Sequence, residues 1–197
     1  MARLKIGLLG GSFNPAHEGH RHISLLALKR LQLDHVWWLV SPQNPLKDRT
    51  GMAPLAQRLA GARAMARHPR ILVSDLESRL GTRFTVDTIA ALRRRWPGHG
   101  FVWLMGADNL AQLPRWHRWS EIVEMVPMAI FNRPGQGHRV LAGAAAARFA
   151  HKRVRNPAAL PDTTAPAWCF LFTQLHPASS TAIRGGREIA DESRKEA

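Results

Sequence analysis

Apolar residues occur along this chain in six short, nearly continuous runs, and segments with helical spacing separate these runs. Continuous apolar runs are typical of strands that are buried on both faces. Apolar positions that recur every three or four residues indicate amphipathic helices. The alternation of the two predicts a parallel sheet covered by helices. The predicted strands are 4–9, 35–41, 70–75, 101–106, 127–132 and 168–173, and the predicted helices are 18–32, 54–67, 85–96, 118–126, 140–150 and 181–191.

The predicted fold class is therefore α/β: a Rossmann-like, doubly wound parallel sheet with helices on both faces. A chain of 197 residues is expected to form a single domain. We expect this domain to span 1–191 and to be followed by a disordered, charged tail at 192–197. Residues 151–166 are rich in proline and lack periodicity, which predicts a surface loop before the last strand. In such folds ligands bind beyond the carboxyl ends of the strands.

The composition narrows the possible partners and compartment. The formal net charge of +14 suits nucleic acid or small anions, but 23 of the 28 basic residues are scattered arginines, so charge alone does not indicate nucleic acid. The longest basic run, Arg93-Arg94-Arg95, is expected on a solvated helix face. The chain contains no run of 18 uncharged apolar residues, so no membrane span is predicted. The absence of a signal-peptide pattern and the single cysteine, Cys169, expected in the core, predict a cytoplasmic protein.

The segment GGSFNPAHEGH at residues 10–20 follows the first predicted strand and precedes the first predicted helix. A glycine-rich turn at this place presents backbone N–H groups and a positive helix end to a phosphate. Gly10 and Gly11 would allow the backbone to approach a phosphate closely, because glycine has no side chain. His17 and His20 lie on one face of the helix start, where both can donate hydrogen bonds to phosphate oxygens. These features predict a nucleotide site.

Two further segments supply groups that suit phosphates. The hydroxyls of SSTAIR, at residues 179–184, can cap the predicted last helix or bind phosphate oxygens at its positive end. Arg184 can bind phosphates bidentately, and Lys47 follows the second predicted strand. We find no nucleophile paired with a base. This inventory suits an attacking phosphate, which is largely dianionic at neutral pH and needs alignment and electrostatic stabilisation rather than a base.

The two terminal motifs, GGSFNPxHxGH and SSTxIR, resemble the signatures of the nucleotidylyltransferase superfamily. Many members end the loop after the second strand in a histidine–lysine pair, and here Leu46 replaces that histidine. The resemblance implies catalytic roles for His17, His20, Lys47 and Arg184. It implies contacts with ATP by Gly10, Gly11, Ser12, Phe13, Gly106, Ser179, Ser180, Thr181 and Ile183.

The middle of the chain resembles the bacterial nicotinate-nucleotide adenylyltransferases of that superfamily. The matching segments are GADNL at 106–110 with WHRW at 116–119, RFTVDT at 83–88 and FNRPG at 131–135. This resemblance implies adenylyl transfer from ATP to nicotinate mononucleotide, with Mg²⁺ carried on ATP and no metal ligand from the protein. It implies that the nicotinate nucleotide is bound by Asn44, Thr85, Asp108, Trp116, His117 and Arg133.

The residues expected to bind the nicotinate nucleotide form a second subsite, in which their roles differ. Trp116 would stack on the nicotinate ring, while backbone N–H groups at Thr85 and His117 would bind the carboxylate. Several relatives carry tyrosine at the position of His117, a change of little cost where the contact is a backbone one. Three alternatives remain: an acceptor that is nicotinamide mononucleotide, an acceptor that is phosphopantetheine, and a basic nucleic-acid-binding protein on a Rossmann-like scaffold. The oligomeric state is not indicated.

Overall fold

The computed structural model describes residues 3–42, 51–132 and 138–172, without the side chains of 138 and 139. Six parallel strands form one sheet. They are β1 Lys5–Gly11, β2 His35–Val40, β3 Ile71–Ser74, β4 Gly100–Gly106, β5 Met128–Phe131 and β6 Trp168–Leu171. Their order in the sheet is β3-β2-β1-β4-β5-β6. All six predicted strands are confirmed, with ends that differ by two residues at most.

The strand order reverses direction between β1 and β4. The chain runs outward from β1 to β3, returns to place β4 on the other side of β1, and then continues outward to β6. Leu9 is paired with Trp38 of β2 on one side and with Leu104 of β4 on the other. This topology confirms the doubly wound α/β fold. It also places the switch point, where such sheets bind ligands, at the carboxyl ends of β1 and β4.

The sheet has an apolar core on each face, because alternate strand residues point to opposite sides. Leu8 and Leu39 are fully buried on the face that packs against Ile89. On the other face Trp38 is fully buried with Ala27 of the helix that follows β1. Burial of one large apolar side chain stabilises the fold by roughly 1.5–3 kcal/mol. The two cores therefore fix the sheet from both sides and explain the continuous apolar runs in the strands.

Four of the predicted helices are confirmed to within two residues at each end, and the one predicted at 181–191 lies outside the described residues. Two short helices were not predicted: one precedes the RFTVDT segment and the other coincides with the GADNL segment. The helices are α1 Glu18–Arg30, α2 Leu55–Ala66, α3 Leu76–Arg79, α4 Thr85–Arg95, α5 Ala107–Gln112, α6 Trp119–Met125 and α7 Ala144–Arg148.

Two predictions for the C-terminal third are corrected. The helix predicted at 140–150 is broken into a 3₁₀ turn at His138–Ala142, α7, and a second 3₁₀ turn at Ala150–Lys152. The break occurs because Gly143 has an extended backbone, with φ −71° and ψ 159°. The segment 151–166 is not wholly a surface loop. It contains a 3₁₀ helix at Pro157–Asp162, and Leu160 within it is fully buried against the sheet.

The structure confirms the expected burial of the single cysteine and the expected exposure of the longest basic run. Cys169 is confirmed as a core residue: it is 1% exposed, and burial raises the pKa of its thiol to about 12. The run Arg93-Arg94-Arg95 is exposed at the end of α4, as expected. In the described part of the chain, no helix has the length and apolarity needed to cross a membrane. The tail at 192–197 lies outside this part.

Candidate active site

The switch point brings together the three glycines predicted to contact ATP. Gly10 and Gly11 end β1, and Gly106 ends the neighbouring β4 and serves as the N-cap of α5. A Cβ at Gly10 would lie 2.6 Å from the indole of Trp103, so only glycine lets this indole pack directly against the β1 backbone. The predicted arrangement of strand end, glycine and helix start is therefore present on both adjacent strands.

The glycine-rich loop, residues 10–17, is anchored by packing. Phe13 adopts the left-handed region with φ 48° and is 1% exposed. Its ring stacks on Trp38 of β2 with 5.0 Å between centroids, and it lies 4.7 Å from the ring of His20. The phenyl ring is thus a core group that anchors the loop. Any contact between Phe13 and ATP would therefore be made by backbone atoms. Ser12 beside it is half-buried.

The two histidines are held by the start of α1. His17 is the N-cap residue and is 4% exposed, and its Nδ1 accepts a hydrogen bond from the Gly19 N–H at 3.1 Å. The Nδ1 of His20 accepts from the His17 N–H at 3.2 Å, which completes a capping box. The rings lie 3.9 Å apart. Because each Nδ1 is an acceptor, a neutral ring at either position carries its proton on Nε2, the tautomer that can donate to a phosphate oxygen.

A second group of predicted residues surrounds the start of α4. Thr85 is the first residue of α4, and its N-cap, Phe84, makes no side-chain capping bond. The first N–H groups of a helix lack intrahelical partners, so this end offers donors to an anion. The ring of Phe84 lies 4.3 Å from the ring of the exposed His117. The structure therefore places Thr85 and His117 in one region, as the expected carboxylate site requires.

Trp116 and Asp108 follow β4 in the chain, and the carboxyl end of β4 adjoins that of β1. The half-buried Trp116 packs edge-on against Trp103, with 6.3 Å between ring centroids. Because Trp103 also packs against Gly10, one indole links the two predicted subsites. Asp108 is half-buried in the first turn of α5, directly after Gly106.

Trp119, the last residue of the WHRW segment, packs against the core. Its ring is partly buried against the apolar cluster below α6 and meets Phe149 edge-on at 6.0 Å. The last turn before α6 places Arg118 in the left-handed region, φ 49°, where it lies 3.8 Å from the Asp87 carboxylate. This ion pair joins α4 to the segment before α6, although the closer partner of Arg118 is Glu121.

Several predicted site residues cannot be located, because they lie outside the described residues, in 43–50, 133–137 or 173–197. Their roles remain predictions. They are Asn44, Lys47, Arg133, Ser179, Ser180, Thr181, Ile183 and Arg184.

Sequence reasoning missed a buried arginine beside the glycine-rich loop. Arg58 of α2 is 4% exposed and donates to four backbone carbonyls, two of them in Ser12 and Ser41. Arginine in an amphipathic helix is ordinarily read as a solvent-facing residue, so no local signal marks it. Asn14, 9% exposed, was passed over although it stands within the GGSFNP motif.

A buried carboxyl at the end of β2 was also missed. Glu77 of α3 is 8% exposed, and burial raises its pKa to about 7, while a hydrogen bond from the Ser41 side chain opposes the rise. Ser41 also donates its backbone N–H to Gly11 at 2.9 Å. Glu77 is therefore coupled through one residue to the end of β1.

Comparison with known proteins agrees with this geometry. Residues 8–186 match the family described as cytidylyltransferase-like, so the fold and the site define a nucleotidylyltransferase. A probable nicotinate-nucleotide adenylyltransferase of Cereibacter sphaeroides is 59% identical, over 91% of this chain and 96% of that protein. A probable nicotinate-nucleotide adenylyltransferase of Parvibaculum lavamentivorans is 57% identical, over 92% of this chain and 91% of that protein. The chain belongs to the nicotinate-nucleotide adenylyltransferase family.

A solved structure shares the fold at much lower identity. It is the nicotinic acid mononucleotide adenylyltransferase of Plasmodium falciparum complexed with NaAD, with a TM-score of 0.70 and 16% identity. The match covers 91% of this chain and 82% of that one.

Proposed function

We propose that this protein transfers the adenylyl group of ATP to nicotinate mononucleotide, giving deamido-NAD and pyrophosphate. The observation that carries the proposal is the pair His17 and His20, fixed at the start of α1 beside the carboxyl ends of β1 and β4. The relatives that are 59% and 57% identical over nearly the whole chain support the same reaction.

The reaction needs no general base at this site. An oxygen of the nicotinate nucleotide's phosphate attacks the α-phosphorus of ATP, a new P–O bond forms, and the bond to the β-phosphate breaks as pyrophosphate leaves. The attacking phosphate is already largely ionised near pH 7. Catalysis therefore depends on aligning two anions and stabilising charge on the equatorial and leaving oxygens. Neutral imidazoles that donate from Nε2, the role proposed for His17 and His20, would perform this task without a change of protonation.

The capping box makes the two donors preorganised. Rotation of either ring would break a hydrogen bond between a backbone N–H and Nδ1, at His17 or at His20. The same bonds fix which nitrogen carries the proton. A donor held in place before the substrate arrives contributes more to the transition state than one that must be ordered during the reaction.

Mg²⁺ is proposed to arrive on the triphosphate. Among the described residues no cluster of three His, Cys, Asp or Glu is placed to hold a metal ion. Mg²⁺ commonly keeps several waters and binds through substrate phosphates rather than through an all-protein cage. The N–H donors and imidazoles of this site fit a magnesium-bound triphosphate. The ion would neutralise part of its charge.

The second subsite suits a carboxylate-bearing aromatic ring. The uncapped start of α4 at Thr85 offers N–H donors, and Trp116 offers an indole face or edge. A carboxylate only accepts hydrogen bonds, whereas the NH₂ of an amide would meet these donors with its own donor. We therefore expect nicotinate mononucleotide to be preferred over nicotinamide mononucleotide.

The test is pyrophosphate release with ATP and Mg²⁺, with nicotinate mononucleotide, nicotinamide mononucleotide or phosphopantetheine as acceptor. We expect rapid release with the nicotinate acceptor and at least about tenfold lower kcat/KM with the amide, since one misplaced donor costs about 1.4 kcal/mol or more. Release with a different acceptor alone would contradict the substrate assignment. No release with any acceptor would contradict the whole proposal.

A further inference from the structure

Arg58 is a buried cation without a carboxylate partner in the part of the chain that the structure describes. It lies in the second turn of α2, and burial lowers the pKa of its guanidinium from the ordinary value. No described carboxylate lies within 4.0 Å of it. A charge removed from water is costly unless hydrogen bonds replace its hydration. The hydrogen bonds of Arg58 must therefore explain why its charge is buried at this position.

Four carbonyl groups from three chain segments surround the Arg58 guanidinium. Nη1 donates to the Ser12 and Ser41 carbonyls, at 2.7 Å each. Nη2 donates to the Pro42 carbonyl at 3.0 Å, and Nε donates to the Ala53 carbonyl at 2.9 Å. A planar guanidinium offers donors in fixed directions. One side chain thus sets the relative positions of the glycine-rich loop, the end of β2 and the entry to α2.

Asn14 makes a similar connection between the glycine-rich loop and the entry to α2. Its Nδ2 donates to the Gly51 carbonyl at 2.9 Å, and its Oδ1 accepts from the Ala53 N–H at 3.2 Å. The glycine-rich loop is therefore tied to residues 51–53 by its own Asn14 and by Arg58. These ties fix the loop beside the histidines, because Ser12 and Asn14 precede His17 by only a few residues.

We infer that Arg58 is a positioning residue for adenylyl transfer, acting through the glycine-rich loop that carries His17. This inference rests on the proposed function. The proposed role requires no contact between Arg58 and the substrate. Its four bonds hold the loop so that the donors of the site meet the reacting phosphates in line. Loss of the directed bonds shifts the loop, which lowers turnover more than it weakens ATP binding, because misplacement acts on the transition state.

The first test separates this role from a purely structural one. In Arg58→Lys the charge remains, but a single ammonium cannot span four carbonyls. We expect kcat to fall by about 10- to 100-fold while the KM for ATP changes less than about threefold. The control is Arg63→Lys, an exposed site on the same helix, where kcat should stay at the wild-type value. Circular dichroism gives the folded fraction, by which each kcat is corrected.

A rescue experiment tests the directed bonds themselves. Arg58→Ala is assayed with methylguanidinium and, separately, with methylammonium at equal concentration. We expect methylguanidinium to raise kcat at least about tenfold over the unrescued variant and methylammonium to leave it unchanged.

A wild-type kcat in Arg58→Lys would overturn the inference. So would a loss of kcat that follows the folded fraction alone in both Arg58→Lys and Arg58→Ala. Equal rescue of Arg58→Ala by methylguanidinium and methylammonium would also overturn it. An inactive wild-type protein would instead contradict the proposed function.

Discussion

The carboxyl of Glu77 allows a quantitative test by pH. It is 8% exposed, and its pKa is raised from 4.5 to about 7, chiefly because burial disfavours the charged form. At about 1.4 kcal/mol per pH unit, this shift corresponds to about 3 kcal/mol. The variant Glu77→Gln removes the titration and keeps an oxygen that can accept the hydrogen bond from Ser41.

The sign follows from proton binding. Below about pH 4.5 both the folded and the unfolded protein hold the proton, so Glu77 contributes no pH dependence. Between pH 4.5 and 7 the folded protein holds the proton and the unfolded chain has lost it, so stability falls as pH rises. Above about pH 7 the full cost of the buried carboxylate is present. Relative to wild type, Glu77→Gln should therefore gain about 3 kcal/mol in free energy of unfolding between pH 4.5 and 8.

The assay is urea unfolding of wild type and Glu77→Gln at pH 5, 6, 7 and 8. The difference between the two proteins at each pH cancels the titration of other groups. Glu124→Gln, at an exposed position of α6, is the matched control for the loss of one carboxylate at the surface. A difference between wild type and Glu77→Gln that does not change with pH would refute the reasoning. It would mean that Glu77 is as well solvated in the folded protein as in the unfolded chain.

Two further substitutions test the glycine-rich loop. His20→Ala should lower kcat by about 100-fold or more through the loss of a phosphate donor, with about 1 kcal/mol lost from the α1 cap in urea unfolding; an unchanged kcat would contradict the role. Gly10→Ala should lower the free energy of unfolding by about 1–3 kcal/mol, because its Cβ would lie 2.6 Å from Trp103. The matched control is Gly61→Ala in α2, where a Cβ meets nothing within 4 Å, and where alanine should stabilise by about 0.5–1 kcal/mol. Equal effects at the two glycines would argue against the packing account.

The strands could be predicted because their signal is local. A strand buried on both faces, such as β4, is apolar throughout, and β4 has no exposed position from Gly100 to Gly106. The glycine-rich loop carries a comparable signal, since strand, glycines and helix are consecutive in the chain. The residues of the nicotinate subsite were implied by the family resemblance, and the fold class predicted only that ligands bind where the carboxyl ends of parallel strands meet.

The errors occurred where tertiary contacts override local preference. The alanine-rich stretch at 142–147 has a high helix propensity, yet α7 is confined to Ala144–Arg148 because Gly143 is extended. Six residues of α5 are too few for a helical period to be recognised. Leu160 is one apolar residue in a proline-rich segment, so its complete burial has no periodic signal. Arg58 is the extreme case, because its four carbonyl partners come together only in the folded chain.

The packing of Trp103 explains how two substrates can be held at one fixed separation. In-line transfer requires the attacking oxygen and the α-phosphorus to be held near contact distance in the correct direction. The backbone of Gly10 rests on one part of the Trp103 indole, and the ring of Trp116 meets the same indole edge-on. Trp103 is 2% exposed in the middle of β4, so it cannot move without disturbing the sheet. Under the proposed function, this buried indole would set the distance between the glycine-rich loop and the expected nicotinate pocket, while Arg58 and the α1 capping box would set the orientation of the donors.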